Sequence, residues 1–409
     1  MKKIIYALLL TLSMQVIYAG GYRVSLQGQK SLAMGHAGVA LINSAELAFF
    51  NPSGLVFLDN KLNISAGVSG VKATTKYQNL DTRQAFTTES PIATPFYLYG
   101  SYEVTDWLTA GISVYTPYGS SVEWPTGWAG SHLVNNIELA AIYVNPVVAF
   151  QICPKFSIGG GPIFVTGSVN FNRDRDLTTS NIDGRTGIEV SKDNVTNWGW
   201  VASATFKPFD ELVIGASYRS HIDMNAENGE VSFTNFDSAP ETTFNAMLPL
   251  PAELSVGLSI QASEKLLLAV EFNHTYWSEY ESLTLEFSDE QLGTSVNPRN
   301  YENATTSRIG LEYTASEKFK LRGGYYFDES PVASGFFSPE TPRNDAHGFT
   351  SGFSYEFNEK WALDFSFLYL HFNEVDESYD AAPQDGIPAF SGTYKSNVFV
   401  PGIGVSYKL

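Results

Sequence analysis

Three things are scarce in this 409-residue sequence: cysteine, basic charge and long apolar runs. Cys153 is the only cysteine, so no intramolecular disulfide can form. Its place before Pro154-Lys155 marks it as a small hydrophobe at a turn, not a nucleophile. Lys and Arg number 25 against 43 Asp and Glu, a net charge of −18. Such a polyanion repels nucleic acid, which excludes a DNA- or RNA-binding role. Past residue 20 no stretch approaches the ~18 consecutive apolar residues that a spanning helix needs, which excludes a helical membrane protein. A soluble multidomain protein fits no better. Charged residues are only 17%, aromatics reach 14% and glycines number 34, a composition that suits strands facing lipid.

What is present begins with a leader. Met1-Lys2-Lys3 is basic, Ile4 to Leu12 is almost continuously apolar, and small or polar residues follow to Tyr18-Ala19-Gly20. This order is that of a secretory signal peptide, residues 1–19, with cleavage after Ala19. The apolar run is too short for a membrane anchor. No cysteine stands at the cleavage point, which argues against a lipoprotein.

Past residue 60 the dominant signal is alternation. Leu62-Ile64-Ala66-Val68, Leu108-Ala110-Ile112-Val114, Leu254-Val256-Leu258-Ile260 and Trp361-Leu363-Phe365-Phe367-Tyr369 each share one parity. Period two puts each set on one face of a strand. The connections are of two kinds. Short polar turns fall at Thr105-Asp106, Pro154-Lys155, Pro208-Asp210, Ser263-Lys265, Ser316-Lys318 and Asn358-Lys360. Long polar stretches lie near 79–94, 119–136, 172–197, 220–249, 278–304, 328–347 and 373–396. Six turns and seven loops make thirteen connections and so fourteen strands. An even count with turns on one side and loops on the other is the plan of an outer-membrane barrel. The fold expected is therefore an all-β, antiparallel, fourteen-stranded transmembrane β-barrel over residues 59–409.

Residues 20–58 do not alternate. They hold Leu32, Met34, Leu41, Leu47, Phe49 and Phe50 among Gly28, Gly35, Gly38 and Gly54, and Asn51-Pro52 breaks any helix there. An apolar tail left in the periplasm would be an exposed liability, so burial inside the barrel as a plug is expected.

Several stretches resemble one known family. They are Gly21-Tyr22-Arg23-Val24, Ala33-Met34-Gly35-His36-Ala37-Gly38, Ala48-Phe49-Phe50-Asn51-Pro52-Ser53-Gly54 and Tyr115-Thr116-Pro117-Tyr118-Gly119 with Trp124 and Trp128. Val144-Asn145-Pro146, Leu250-Pro251-Ala252-Glu253-Leu254, Trp277-Ser278 and Arg322-Gly323-Gly324-Tyr325-Tyr326 to Pro331 continue the series. In this order they are similar to the FadL-type outer-membrane transporters of long-chain fatty acids and other hydrophobic compounds. There are two departures. Ser53 follows Asn51-Pro52 where the family usually has alanine, and the chain ends in Leu409 where the family usually ends in phenylalanine.

The resemblance implies a hatch over 20–58, with Gly35, Asn51 and Pro52 as its motif residues. It also implies an aromatic at Tyr22 against a ligand pocket, a kinked third strand at about 107–118 opening laterally into the membrane, and passive transport.

From the residues themselves, Trp124, Trp128, Phe233, Phe236, Phe244, Leu248, Leu250, Phe336 and Phe337 are candidates for an apolar surface that collects ligand. An interfacial aromatic belt is the alternative for them. Phe49 and Phe50 are expected to touch ligand from the head segment. Strand parity turns Arg219, Arg308 and Arg322 inward, where they would meet a carboxylate headgroup or pair with acids such as Glu271 and Glu312.

No Gly-x-Ser-x-Gly elbow or His-Glu-x-x-His spacing is present, and the six histidines are scattered. Ser131-His132 has no orienting carboxylate pattern, and Asp174-Arg175-Asp176 and Glu374-Val375-Asp376-Glu377 lack the order of a calcium loop. No catalysis, metal or cofactor is expected. The partners expected are a hydrophobic ligand (a long-chain fatty acid first), outer-membrane lipid and lipopolysaccharide, around a monomer. A general porin and an uptake channel for aromatic hydrocarbons are the rival readings, and the apolar head is what a porin lacks.

Overall fold

The computed structural model of the protein describes residues 21–174, 187–235, 239–380 and 389–409. The expectations for the leader, for Arg175-Asp176 and for Phe236 fall outside those residues. Fourteen antiparallel strands close on themselves. They are β1 (Leu62–Ser69 with Lys72–Gln78), β2 (Ala85–Thr87 with Phe96–Thr105), β3 (Leu108–Glu123), β4 (Asn136–Cys153) and β5 (Phe156–Asp174). Next come β6 (Gly187–Phe209), β7 (Leu212–Arg219 with Ile222–Phe233), β8 (Thr243–Leu250 with Glu253–Ser263) and β9 (Leu266–Thr275 with Ser282–Phe287). The rest are β10 (Thr294–Pro298 with Ala304–Ser316), β11 (Phe319–Asp328), β12 (Ala346–Glu356), β13 (Trp361–Phe372 with Val375–Tyr379) and β14 (Phe390–Lys408). The last strand pairs on both sides, Tyr407 with Trp361 of β13 and with Ile64 of β1. No strand edge remains unpaired at the seam.

Alternation along each strand is inverted relative to a soluble sheet. On β10, Thr306, Arg308 and Glu312 are buried at 1–6% exposure, whereas Ile309, Leu311 and Tyr313 are exposed at 43–53%. The apolar face is the outer one, as lipid requires. Trp107, Phe209, Phe357 and Trp361 stand exposed near the short turns, and Trp198 and Trp200 stand exposed toward the other rim.

All six short turns fall where the sequence places them. The long stretches differ from expectation. Residues 187–197, 222–233, 243–250, 282–287 and 294–298 are strand, so β6 to β10 run well past the lipid-facing band. Above that band the outer face no longer meets hydrocarbon, and the apolar parity passes to the inner face while the hydrogen-bond ladder continues.

Residues 21–58 lie inside, in short helices α1 (Gln29–Leu32) and α2 (Leu47–Phe50) and a 3-10 turn Pro52–Phe57. Inward polar side chains hold them strand by strand. Ser157 Oγ of β5 donates to the Ser53 carbonyl (2.7 Å), and Ser259 Oγ of β8 donates to the Ala40 carbonyl (2.7 Å). Val39 N donates to Glu271 of β9 (2.8 Å), and Gly35 N donates to Thr350 Oγ1 of β12 (2.8 Å). Arg23 bonds Thr306 (2.6 Å) and Asp328 (2.9 Å), and Gln29 Nε2 reaches Ser69 (3.2 Å).

The contact is backbone against backbone at several places, among them the approach of Met34-Gly35 to β10 and β11. Gly35 has φ +68°, and a Cβ there would come within 2.7 Å of the Ile309 carbonyl. A Cβ on Gly310 would collide with the Met34 carbonyl, and one on Gly324 with the Gly35 amide. Gly324→Val is therefore expected to keep β-type circular dichroism and a heat-modifiable gel shift while unseating the segment. Ion conductance in planar bilayers should rise. Unchanged conductance would show that residues 21–58 do not obstruct the barrel.

Candidate functional site

Above residues 21–58, the inner wall of β4 to β9 is apolar where a barrel interior is ordinarily polar. Ile137, Leu139, Phe171, Val190, Met224 and Phe244 line a narrow chamber of about 70 Å³ there. Phe244, Leu248 and Leu250 share the inward parity of β8 and belong to this wall, not to an outer collecting surface. Tyr22 closes one side. Its hydroxyl donates to the Pro249 carbonyl, and its ring stands edge-on to Trp277 (4.9 Å) and Tyr280 (5.6 Å). Glu340 and Thr341, from the β11–β12 connection, complete the lining.

A second cavity, of about 510 Å³, lies where the barrel wall is interrupted. Pairing of β2 with β3 ends at Tyr97 and Tyr115, and the register of β3 against β4 shifts between Tyr115 and Tyr118. The Thr116 and Pro117 carbonyls turn to the interior segment instead, accepting from Gln27 Nε2 (3.1 Å) and Val24 N (2.8 Å). Val24, Leu26, Pro95, Phe96, Tyr326 and Leu368 line the space. The irregularity at 116–117 falls within the stretch where the sequence resemblance implies a kinked third strand.

The structure distributes the other expected residues elsewhere. Trp124 and Trp128 are buried at 0% and 1% exposure, stacked at 4.1 Å, with their indole N–H groups on the Pro339 (3.1 Å) and Val134 (2.8 Å) carbonyls. They pack the extracellular connections against one another and collect nothing from solvent, because each indole found a loop carbonyl. Phe337 is likewise buried, against Tyr394.

Phe49 and Phe50 are buried edge-to-face at 4.7 Å. They border a small polar cavity with Arg23, His36, Arg219 and Arg308, not the chamber. Parity placed the three arginines correctly inward, but their partners are acids. Arg308 bonds Glu271 (2.8 Å), Arg322 bonds Glu312 (2.7 Å) and Ser354 (2.6 Å), and Arg219 stands 3.8 Å from Glu253. Arg219 also lies over the Phe49 ring (4.6 Å) and donates to the Phe49 carbonyl (3.0 Å), while its Nε has no hydrogen-bond partner among the described residues. None of the three lines the apolar chamber.

Asn51 donates to the Val39 carbonyl (2.7 Å) and to Thr205 (2.9 Å). Ser53, where the family usually has alanine, bonds Asn51 Oδ1 (2.6 Å) and Thr205 Oγ1 (2.8 Å) and so ties the turn to β6.

A profile described as outer membrane protein transport protein (OMPP1/FadL/TodX) matches residues 10–409. The chain belongs to this family. It is 21% identical to the long-chain fatty acid transport protein of Escherichia coli K12, over 82% of this chain and 81% of that one. The fold is that of a Pseudomonas aeruginosa FadL homologue: TM-score 0.80, 18% identity, 96% of this chain and 100% of that one. It is also that of the P. putida toluene transporter TodX: TM-score 0.70, 16% identity, 93% and 97% of the two chains. The protein is thus a FadL/TodX-type transport barrel of the outer membrane.

In this family member, sequence reasoning missed Arg23, Arg299, Glu340 and Arg343. Arg299 pairs with Glu340 and donates to Tyr379 Oη (3.0 Å). Arg343 Nη1 donates to the Gly21 carbonyl (3.1 Å) and approaches that of Arg23 (3.4 Å). Three of these lie in or beside long polar connections, where no periodicity marks an inward residue. Arg23 precedes the first strand.

Two carboxyls at the base of the same connection are perturbed. Burial pushes Glu329 up to about 7, and Asp328 adds repulsion. Burial pushes Asp345 up to about 7 as well, with Glu329 and Asp328 both adding repulsion. Folded-state values above the ordinary carboxylate range mean that the folded form holds more protons than the unfolded one. Stability from this region is therefore full at acid pH and is lost as pH rises between about 4 and 7. Hydrogen exchange in residues 329–345 should accelerate between pH 5.5 and 8 beyond the intrinsic rate change. Glu329→Gln with Asp345→Asn should remove that excess.

Proposed function

We propose that this barrel takes up hydrophobic molecules passively, long-chain fatty acids first, without covalent chemistry. In this reading residues 1–19 are a cleaved signal peptide, 20–58 a hatch and 59–409 the barrel. The observation that carries it is a chamber with apolar walls inside a barrel, closed by Tyr22 of the interior segment. An apolar solute cannot use a water-filled pore to cross a polar lipopolysaccharide leaflet, but it gains about 0.8 kcal/mol for each CH₂ it buries.

Ligand held in the chamber would pass residues 22–26 to the larger cavity beside Thr116-Pro117, and leave sideways into the membrane. Movement of the hatch would gate that step. The seam paired on both sides leaves no strand edge for a partner, which supports a monomer set in lipid and lipopolysaccharide.

A carboxylate headgroup needs a donor, and of the three arginines that strand parity turns inward Arg219 is the least committed. Its carboxylate partner is the most distant, and its polar cavity shares Arg23, Val24 and Ser25 with the larger one. Aromatic hydrocarbons are the second reading, supported by a chamber wall that has no cation in it.

Equilibrium binding of hexadecanoate and of hexadecanol separates the two. Phe244→Ala should weaken both by roughly tenfold or more, since burying such a ring contributes about 1.5–3 kcal/mol. Arg219→Ala should weaken hexadecanoate alone, by roughly ten- to a hundredfold, through loss of a charge-assisted bond of about 1.5–3 kcal/mol. Equal losses for acid and alcohol in Arg219→Ala would remove that arginine from the site. No binding of either by the wild type would overturn fatty-acid uptake.

A further inference from the structure

The chamber and the lateral cavity share wall residues Ser120, Leu139, Ala140, Ala141 and Ser168, so they adjoin. What separates them does not belong to the sheet. One piece is the interior segment: Tyr22 lines the chamber, and Arg23 to Leu26 line the lateral cavity. The other is the β11–β12 connection: Glu340 and Thr341 line the chamber, and Arg343 lines the lateral cavity. Arg343 joins the two pieces through the Gly21 and Arg23 carbonyls.

This connection is unlike an ordinary surface loop. Residues 338–342 are buried throughout. They are held to the surroundings by side-chain bonds and not by a strand ladder: the buried Arg299–Glu340 ion pair, Trp124 Nε1 to the Pro339 carbonyl (3.1 Å), Tyr301 Oη with Thr341 Oγ1 (3.0 Å) and Ser396 Oγ to the Pro342 carbonyl (3.0 Å). The chamber beside them has about 70 Å³, less than the roughly 150 Å³ cavity that accepts a benzene ring. Any hydrophobic ligand must therefore widen it. The strands cannot give way without breaking ladder bonds, whereas Glu340-Thr341 can.

We propose that the β11–β12 connection is the moving half of the gate between chamber and lateral exit, with Arg343 as the positioning residue that clasps it to residues 21–23. Ligand entering the chamber displaces Glu340-Thr341 outward, which withdraws Arg343 and frees the interior segment. This inference rests on hydrophobic uptake as proposed above and assigns its coupling element.

The test uses the purified full-length protein in detergent, with parinaric acid as a fluorescent probe. In the wild type, saturating probe should raise hydrogen exchange of residues 21–27 at least tenfold. Arg343→Met should show that fast exchange without probe and gain nothing on adding it, while by reciprocity it binds the probe more tightly, by up to about tenfold. Arg343→Lys keeps one donor and should restore most of the probe dependence. Loss of a purely structural arginine would lower affinity and heat-modifiability together and would not be rescued in this way.

A second variant tests the motion itself. Phe336 and Tyr379 form an isolated antiparallel bridge between the connection and the end of β13, a spacing that suits a disulfide. Phe336→Cys with Tyr379→Cys, in a Cys153→Ser background, should lose most parinaric acid uptake in cells when oxidised and regain it under reductant. Oxidised and reduced forms with equal uptake, or unchanged exchange at 21–27 in Arg343→Met, would overturn the inference and leave hydrophobic uptake standing. A wild type that binds no probe would overturn both.

Discussion

Every backbone N–H and C=O in the hydrocarbon layer must find a partner within the protein, and the rest of this structure follows from that demand. Fourteen strands satisfy it only by closing, with Tyr407 of β14 facing both Trp361 and Ile64. Closure turns the apolar residues outward and leaves a cylinder whose inner face holds serine, threonine, asparagine and charged side chains. Those groups take their partners from two sources. Residues 21–58 supply backbone groups, as with the Gly35 amide on Thr350 and the Val39 amide on Glu271. Opposite charge is the second source, pairing Arg308 with Glu271 and Arg322 with Glu312. Removing either member of such a buried pair would leave an uncompensated ion, commonly a loss of about 3–5 kcal/mol. The pairs are therefore structural first, and a ligand that used them would have to compete with an acid already in place.

Most of the barrel was legible because lipid imposes a period. Ile309, Leu311 and Tyr313 read outward and Arg308 inward from spacing alone, and the structure agrees on each. The short turns were legible for the same reason, being the places where the period stops. The rest was hidden where lipid exerts no selection. Residues 222–233 and 282–287 are strands whose apolar period (Ile222-Met224-Ala226, Leu283-Leu285-Phe287) is short, set among polar neighbours and turned to the inner face, and they read as loop. Trp124 and Trp128 looked like exposed aromatics in a polar stretch. Nothing local says that Pro339 and Val134 offer carbonyls to them.

The interior site was half legible. Phe244, Leu248 and Leu250 were singled out as apolar residues in the right place on the chain, but their alternation was read as loop surface and not as wall. Tyr22 was placed by resemblance, and the structure sets it between Trp277 and Tyr280 at the edge of the chamber. Arg343 could not be found by any pattern. Its partners are two backbone carbonyls more than three hundred residues away, and carbonyls carry no side-chain signature.

The same backbone demand that closes the barrel also decides where a route through it can lie. A strand in the wall cannot separate from its neighbour without exposing several unsatisfied groups, each costing a few kcal/mol in hydrocarbon. The proposed route accordingly uses segments whose backbone bonds lie outside the ladder. The structure has three of these in contact: the interior segment at 21–27, the β11–β12 connection at 338–343, and the β3 carbonyls of Thr116 and Pro117. Apart from the Arg299–Glu340 ion pair, which can travel as a unit, single hydrogen bonds between non-sheet elements stand at each where a ladder would otherwise be. Such bonds contribute about 0.5–1.5 kcal/mol apiece, within reach of what two or three buried methylenes supply. On the proposed route a hydrophobic solute would open this path by its own burial energy, and a small hydrated ion, with no methylenes to bury, would not.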